Sequence, residues 1–242
     1  MRTGILGLDE LLVGGIPEGR ILLVIGGPGT GKTILATQFL VHGIEHGENG
    51  LFVSLDEPKH LLCREMAAFG WDLQEYERQG KFAFMDARVR TGTHLPGEMK
   101  IAKVVIGKKE FSFPSLVEGV QSNAKKIDAK RIVADTLTSF IFRHPDEVTR
   151  RIAMLDLLEA LMTTGATCIL TTELRAQGLD RPVHPEEYIA HGVIVLQTVQ
   201  VGRALVRSIQ VEKMREVPID IQPRVYRIGQ SGIEVFPKET IY

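Results

Sequence analysis

The chain has 242 residues, 44% of them hydrophobic, a formal net charge of -1 at pH 7 and two cysteines. This length suits one large α/β domain with a sizeable core, here expected to span residues 1–242. The charge balance removes any global pull toward nucleic acid, which leaves a local basic patch as its only route and does not favour it as a partner. No apolar run approaches the ~20 residues of a membrane span, so no membrane association is expected. Cys63 and Cys168 lack metal-type spacing and read as reduced core thiols. With no signal-peptide pattern after Met1, the expected location is cytoplasmic.

In chain order, the first clear element is a strand at about 21–26, followed by Gly26-Gly27-Pro28-Gly29-Thr30-Gly31-Lys32-Thr33 and Ile34. The glycines turn consecutive N–H groups inward to cradle phosphate oxygens. Pro28 keeps Gly27 out of helix, so that the helix expected at about 31–46 starts with its positive end toward the same phosphates. In a Walker A loop in this setting, Gly27 to Ile34 bind nucleotide, Lys32 reaches the β- and γ-phosphates and the Thr33 hydroxyl binds Mg2+. A second strand, about 51–55, ends in Asp56-Glu57-Pro58 before a helix at about 58–69. Hydrolysis needs a carboxylate beside the γ-phosphate to orient water, and Glu57 is the first candidate with Asp56 as the second; helix capping is their other use.

A third strand is expected at about 82–86, then an interrupted stretch from Arg88 to Phe113 that reads as a mobile surface insertion. A helix follows at about 114–127. The strand at 131–135 ends in Asp135, matching a Walker B carboxylate that holds Mg2+ through water, or else a capping aspartate. In the helix at about 146–164, Ile152, Leu155, Leu158, Glu159 and Met162 are read as marking its buried face. A fifth strand lies at about 167–172. From Val193 onward, runs at 193–199, 205–212, 225–228 and 233–236 predict an antiparallel extension of a mainly parallel, helix-flanked sheet.

Several further motifs give the chain its resemblance. These are Thr3-Gly4-Ile5, Gly7-Leu8-Asp9, Gly14-Gly15-Ile16-Pro17, Asp56-Glu57-Pro58, Leu170-Thr171-Thr172-Glu173, Glu212-Lys213-Met214-Arg215 and Val235-Phe236-Pro237. Together with the Walker A loop they make the chain resemble, nearly end to end, the KaiC-like branch of the RecA superfamily of ATPases. The resemblance implies a RecA-like P-loop fold, ATP and Mg2+ as ligands, and homo-hexameric rings with ATP between subunits. It also implies that Lys213 and Arg215 complete the neighbour's site; two residues apart on a strand, they would share a face at ~6.5 Å spacing. The residues by themselves favour a solvated basic edge beside Arg203, Arg207 and Glu212. Thr171, Thr172 and Glu173 would order the phosphate region.

Three departures qualify the resemblance. Asp56 stands where relatives often carry glutamate, and Glu216-Val217-Pro218-Ile219 replaces the usual Gly-Thr/Ser-x-His. Glu187 and Tyr188 occupy the positions of the Ser-Thr pair that the two-copy circadian clock protein autophosphorylates, so that autophosphorylation is not expected here. The expected function is a Mg2+-dependent ATPase in a regulatory or signalling assembly with a protein partner whose identity the residues do not carry. The alternatives are a recombinase-like DNA-dependent ATPase and a nucleotide-loaded scaffold with negligible turnover.

Overall fold

A computed structural model describes residues 1–88, 105–106, 109–110, 113–138, 146–174, 183 and 185–241. Its frame is a nine-stranded sheet in the order β11-β10-β9-β8-β1-β7-β6-β2-β3. The strands are β1 (Ile21–Gly26), β2 (Gly50–Ser54), β3 (Phe82–Asp86), β6 (Arg131–Asp135), β7 (Thr167–Glu173), β8 (Gly192–Val201), β9 (Ala204–Met214), β10 (Arg224–Gly229) and β11 (Gly232–Thr240). A separate two-stranded pair, β4 (Val105–Ile106) and β5 (Lys109–Glu110), falls within the stretch read as an insertion; most of that stretch lies outside the described residues.

β1, β2 and β6 are buried on both faces except at Asp135, as their unbroken apolar runs require between two helical layers. One layer holds α1 (Leu8–Leu11), α2 (Lys32–Glu45), α3 (Lys59–Ala67) and α4 (Leu73–Arg78). The other holds α5 (Phe113–Ile127), α6 (Glu147–Thr163) and α7 (Pro185–Ile189). Among the described residues no helix is long and apolar enough to cross a membrane. Cys63 and Cys168 are both buried and free.

Two expectations need correction. β8 is not part of the antiparallel extension: it pairs in parallel with β1, and antiparallel pairing begins only between β8 and β9. The crossover through α7 makes this possible, since a parallel neighbour cannot be reached by a tight turn. The buried face of α6 is formed by Ala153, Met154, Leu157, Leu158 and Leu161. Ile152, Leu155 and Met162 point outward, Ile152 with 55% of its surface exposed. Of the apolar residues proposed for that face, only Leu158 is buried, because the 154/157/158/161 set gives the tighter helical stripe toward the core on this side of the sheet.

One buried charge ties the layers together. Arg131, at the start of β6, is 2% exposed; its guanidinium lies 4.4 Å from the Phe39 ring centroid. It donates to the Phe39 carbonyl at 2.7 Å and to the Glu48 carboxylate at 2.5 Å. Gly43 makes the room, since a Cβ there would lie 2.2 Å from Arg131 Nε. Removing the acid alone strands a buried cation, whereas removing the cation leaves a half-exposed acid that water can solvate. Glu48→Ala should therefore destabilise by about 2–3 kcal/mol and Arg131→Met by about 1 kcal/mol or less. Urea unfolding checks the order, and the reverse ranking would rule out the ion pair as the organising contact.

Candidate active site

The loop between β1 and α2 closes on itself. Gly29 and Gly31 have φ values of 73° and 88°, and Gly31 is the N-cap of α2, so left-handed backbone is required where the loop turns into the helix. A Cβ on Gly31 would also meet Ile228 at 2.8 Å. Thr30 Oγ1 donates to the Gly27 carbonyl at 2.8 Å. Lys32 Nζ reaches back to the carbonyls of Gly26 at 2.9 Å and Gly27 at 3.2 Å, so the ammonium lies over the loop it would serve. Burial pulls the Lys32 pKa down, and the charges of Asp135 and Glu173 oppose that shift.

A brace absent from the sequence reading comes from β10. The buried Tyr226 hydroxyl donates to the Thr30 carbonyl at 2.5 Å, and burial raises its phenol pKa. Tyr226→Phe leaves that carbonyl without its partner and should weaken nucleotide binding about fivefold, through about 1 kcal/mol of loop destabilisation. Titration with a fluorescent ATP analogue checks this, and unchanged affinity would mean that the loop holds its shape without the brace.

Asp135 stands at the carboxyl end of β6, on the same sheet edge. Thr33 Oγ1 donates to its Oδ2 at 2.8 Å and Thr171 Oγ1 donates to its Oδ1. Burial raises its pKa, while these two hydroxyl bonds and Lys32 favour the carboxylate. The next peptide, Asp135–Thr136, is cis. Thr138 holds the neighbouring strand end, its Oγ1 accepting from Glu173 N at 2.9 Å and lying 3.5 Å from Thr172 Oγ1.

Glu57 lies across the cleft. Ser54 Oγ pins its turn by accepting from Glu57 N at 3.1 Å and donating to Glu57 O at 2.5 Å. α3 begins after Pro58 and has no side-chain cap bond, so neither acid serves as its capping group. Partial burial, then Glu65, Asp135 and Asp56, push the Glu57 pKa up to about 7. Glu65 sits on α3, eight positions along the sequence from Glu57, and only folding brings it close. Asp56 is exposed.

Lys32, Thr33, Asp56, Glu57, Asp135 and Glu173 line one cleft of about 350 Å3. The oxygen donors fit a hard cation such as Mg2+: Thr33 spends its proton on Asp135 and keeps lone pairs for a metal. Among the described residues no group of three or more His, Cys, Asp or Glu could hold a metal by itself. A Mg2+ ion held here would take its other ligands from phosphate oxygens and water.

A family model described as "ATPase: KaiC" matches residues 1–240. The chain belongs to the KaiC family of ATPases. It is 34% identical to a UPF0273 protein of Pyrococcus furiosus, over all of this chain and 95% of that one. It is also 34% identical to the circadian clock protein KaiC3 of Synechocystis, over all of this chain but 46% of that one. The crystal structure of a KaiC-like protein from Pyrococcus horikoshii OT3 superposes with a TM-score of 0.81 at 38% identity, covering 98% of each chain. The fold is thus RecA-like, and the family implies a nucleotide-binding ATPase domain.

In this KaiC-family chain the remaining candidates lie elsewhere. Gly26 pairs with Leu196, Leu22 with Gly192, and Gly192 with Met214. Lys213 and Arg215 therefore lie toward the opposite sheet edge, roughly 10–15 Å along the strands from their own Walker A loop. β9 ends at Met214 and its register shifts beside Val193, so the two-residue strand spacing expected for the pair does not extend to Arg215. Both cations instead converge on α7: Lys213 on the carbonyls of Glu187, Tyr188 and Ala190, Arg215 on that of Tyr188. Glu216 forms an ion pair with Arg20, which draws its charge away from them.

Proposed function

We propose that this chain is a Mg2+-dependent ATPase that assembles with copies of itself, with each nucleotide held between two subunits. The observation that carries the reading is the split of the candidate residues between two sheet edges. The cradle, the Mg2+ groups and the poised Glu57 share one cleft, whereas Lys213-Met214-Arg215 lies toward the opposite edge, too far away to reach it. Cations at that edge can act only on a neighbour's nucleotide, and the implied rings would supply that neighbour.

Within one cleft the division of labour follows from the chemistry. The loop N–H groups and Lys32 bind and orient the phosphates. Mg2+, held by Thr33 and through water by Asp135, would neutralise charge on the β- and γ-oxygens. Glu57 in its carboxylate form orients the attacking water and takes its proton. A hexamer and a regulatory role extend the same reading.

Mass-resolved size-exclusion chromatography with and without ATP and Mg2+, with turnover measured on the same fractions, tests assembly and catalysis together. Turnover confined to the assembled fraction is the expected result. A monomer with full turnover would refute the shared site, and an assembly that binds ATP without hydrolysing it would leave a nucleotide-loaded scaffold.

A further inference from the structure

β11 is the outermost strand of the sheet, and its open edge is covered from two directions. Val235 N donates to the Leu6 carbonyl at 2.8 Å, so the segment before α1 lies along it. At Ile233 the partner is a side chain of the Walker A helix. Gln38 Oε1 accepts from Ile233 N at 2.7 Å, and Gln38 Nε2 donates to the Ile233 carbonyl at 3.2 Å and to the Gly4 carbonyl at 3.1 Å. Both amide protons and the oxygen of this buried carboxamide are thereby engaged. Gly232 makes the room, since a Cβ there would lie 2.4 Å from Gln38 Oε1. Apolar packing alone would call for leucine at position 38, because burying an amide costs free energy that its hydrogen bonds little more than offset.

The same two β11 residues stand opposite the two β10 residues that touch the phosphate loop. Ile233 pairs with Ile228, and Val235 with Tyr226. Ile228 Cδ1 packs over Gly31, where an added Cβ would lie 2.8 Å from it, and the Tyr226 hydroxyl holds the Thr30 carbonyl. The loop therefore touches β10, β10 is laddered to β11, and Gln38 returns β11 to α2 about 10 Å along the helix from Gly31. From this closed circuit we infer that Gln38 is a positioning residue for the phosphate loop: it fixes β10 and β11 against α2 and so seats Tyr226 and Ile228 on Thr30 and Gly31. Nucleotide that orders the loop should then also slow opening at Ile233. The inference rests on the loop's binding nucleotide and is independent of how subunits assemble.

The deciding measurement is a double-mutant cycle on the full chain, with calorimetric titration of ATP and Mg2+ into the parent, Gln38→Leu, Tyr226→Phe and the double variant. Gln38→Leu should weaken binding about fivefold, as Tyr226→Phe does. If both act through the seating of β10 on the loop, the double variant should lose no more than about tenfold, whereas independent sites would multiply to about 25-fold. A residue that served stability alone would lower the ligand-free melting temperature and leave the affinity of the folded chain unchanged; that result, or independent losses in the cycle, would overturn the inference. Amide exchange provides a second reading that does not need Gln38→Leu to fold. ATP should slow exchange at the Ile233 amide about fivefold in the parent and about twofold or less in Tyr226→Phe. An Ile233 amide indifferent to ATP in a parent that binds it would also overturn the inference. A parent that binds no ATP would instead refute the nucleotide reading beneath it, and the parent titration by itself tells these two failures apart.

Discussion

Lys32→Ala should lower ATP turnover by at least about 1,000-fold and weaken ATP binding by at least about 100-fold. Among the described residues Lys32 Nζ hydrogen-bonds to the carbonyls of Gly26 and Gly27 alone, at a cleft open to water. Its removal exposes those oxygens to solvent instead of burying them unpaired, so the thermal midpoint without nucleotide should move little. Loss of function without loss of fold assigns the effect to the phosphates. Phosphate-release assays with calorimetric ATP titration make the measurement, and a variant with unchanged turnover would remove the Walker A loop from the mechanism.

Glu57→Gln should separate binding from chemistry. Turnover should fall by about 100- to 1,000-fold while ATP affinity stays within a few fold, because the amide can still meet a water molecule but cannot take its proton. In the parent chain, turnover should rise as pH passes through about 7, where Glu57 becomes the carboxylate. The same raised pKa has a stability consequence with a definite sign. The fold favours the protonated acid, so Glu57 contributes stability that is fully present below its ordinary value of 4.5 and is lost as pH rises through about 7. Without nucleotide, Glu57→Gln should melt higher than the parent at pH 8 and at the same temperature near pH 4.5. Equal differences at both pH values would show that the crowding of Glu57 by Glu65, Asp135 and Asp56 does not shift its titration.

The residues legible in the sequence are those whose chemistry is local. The Walker A loop needs left-handed backbone and N–H groups within a few consecutive positions, so its glycines declare it and the structure places it between β1 and α2. Asp135 was legible because an apolar strand ending in a carboxylate puts that group at the sheet edge. Groups supplied across the fold were not legible. Tyr226 reaches Thr30 from 196 positions away, and Thr171, which only the family resemblance marks, reaches Asp135 from 36. No pattern within a strand marks a side chain for a partner that only sheet order brings near. The face of α6 was misread for the same reason: a helix with apolar residues on two sides does not say which side meets the sheet.

The sequence alone determined that a Walker A loop, a candidate metal-binding carboxylate and a pair of candidate bases sit on one α/β chain, since each is written in contiguous residues whose backbone needs are local. Tertiary structure decided how they are used. Parallel pairing of β1, β7, β6 and β2 brings Lys32, Asp135 and Glu57 to one edge, and folding places Glu65 against Glu57. The parallel crossover into β8 and its hairpin with β9 carry Lys213 and Arg215 toward the opposite edge, against α7. Strand direction and order are set by burying both faces of the sheet at once, a condition that depends on the whole chain and on no single motif.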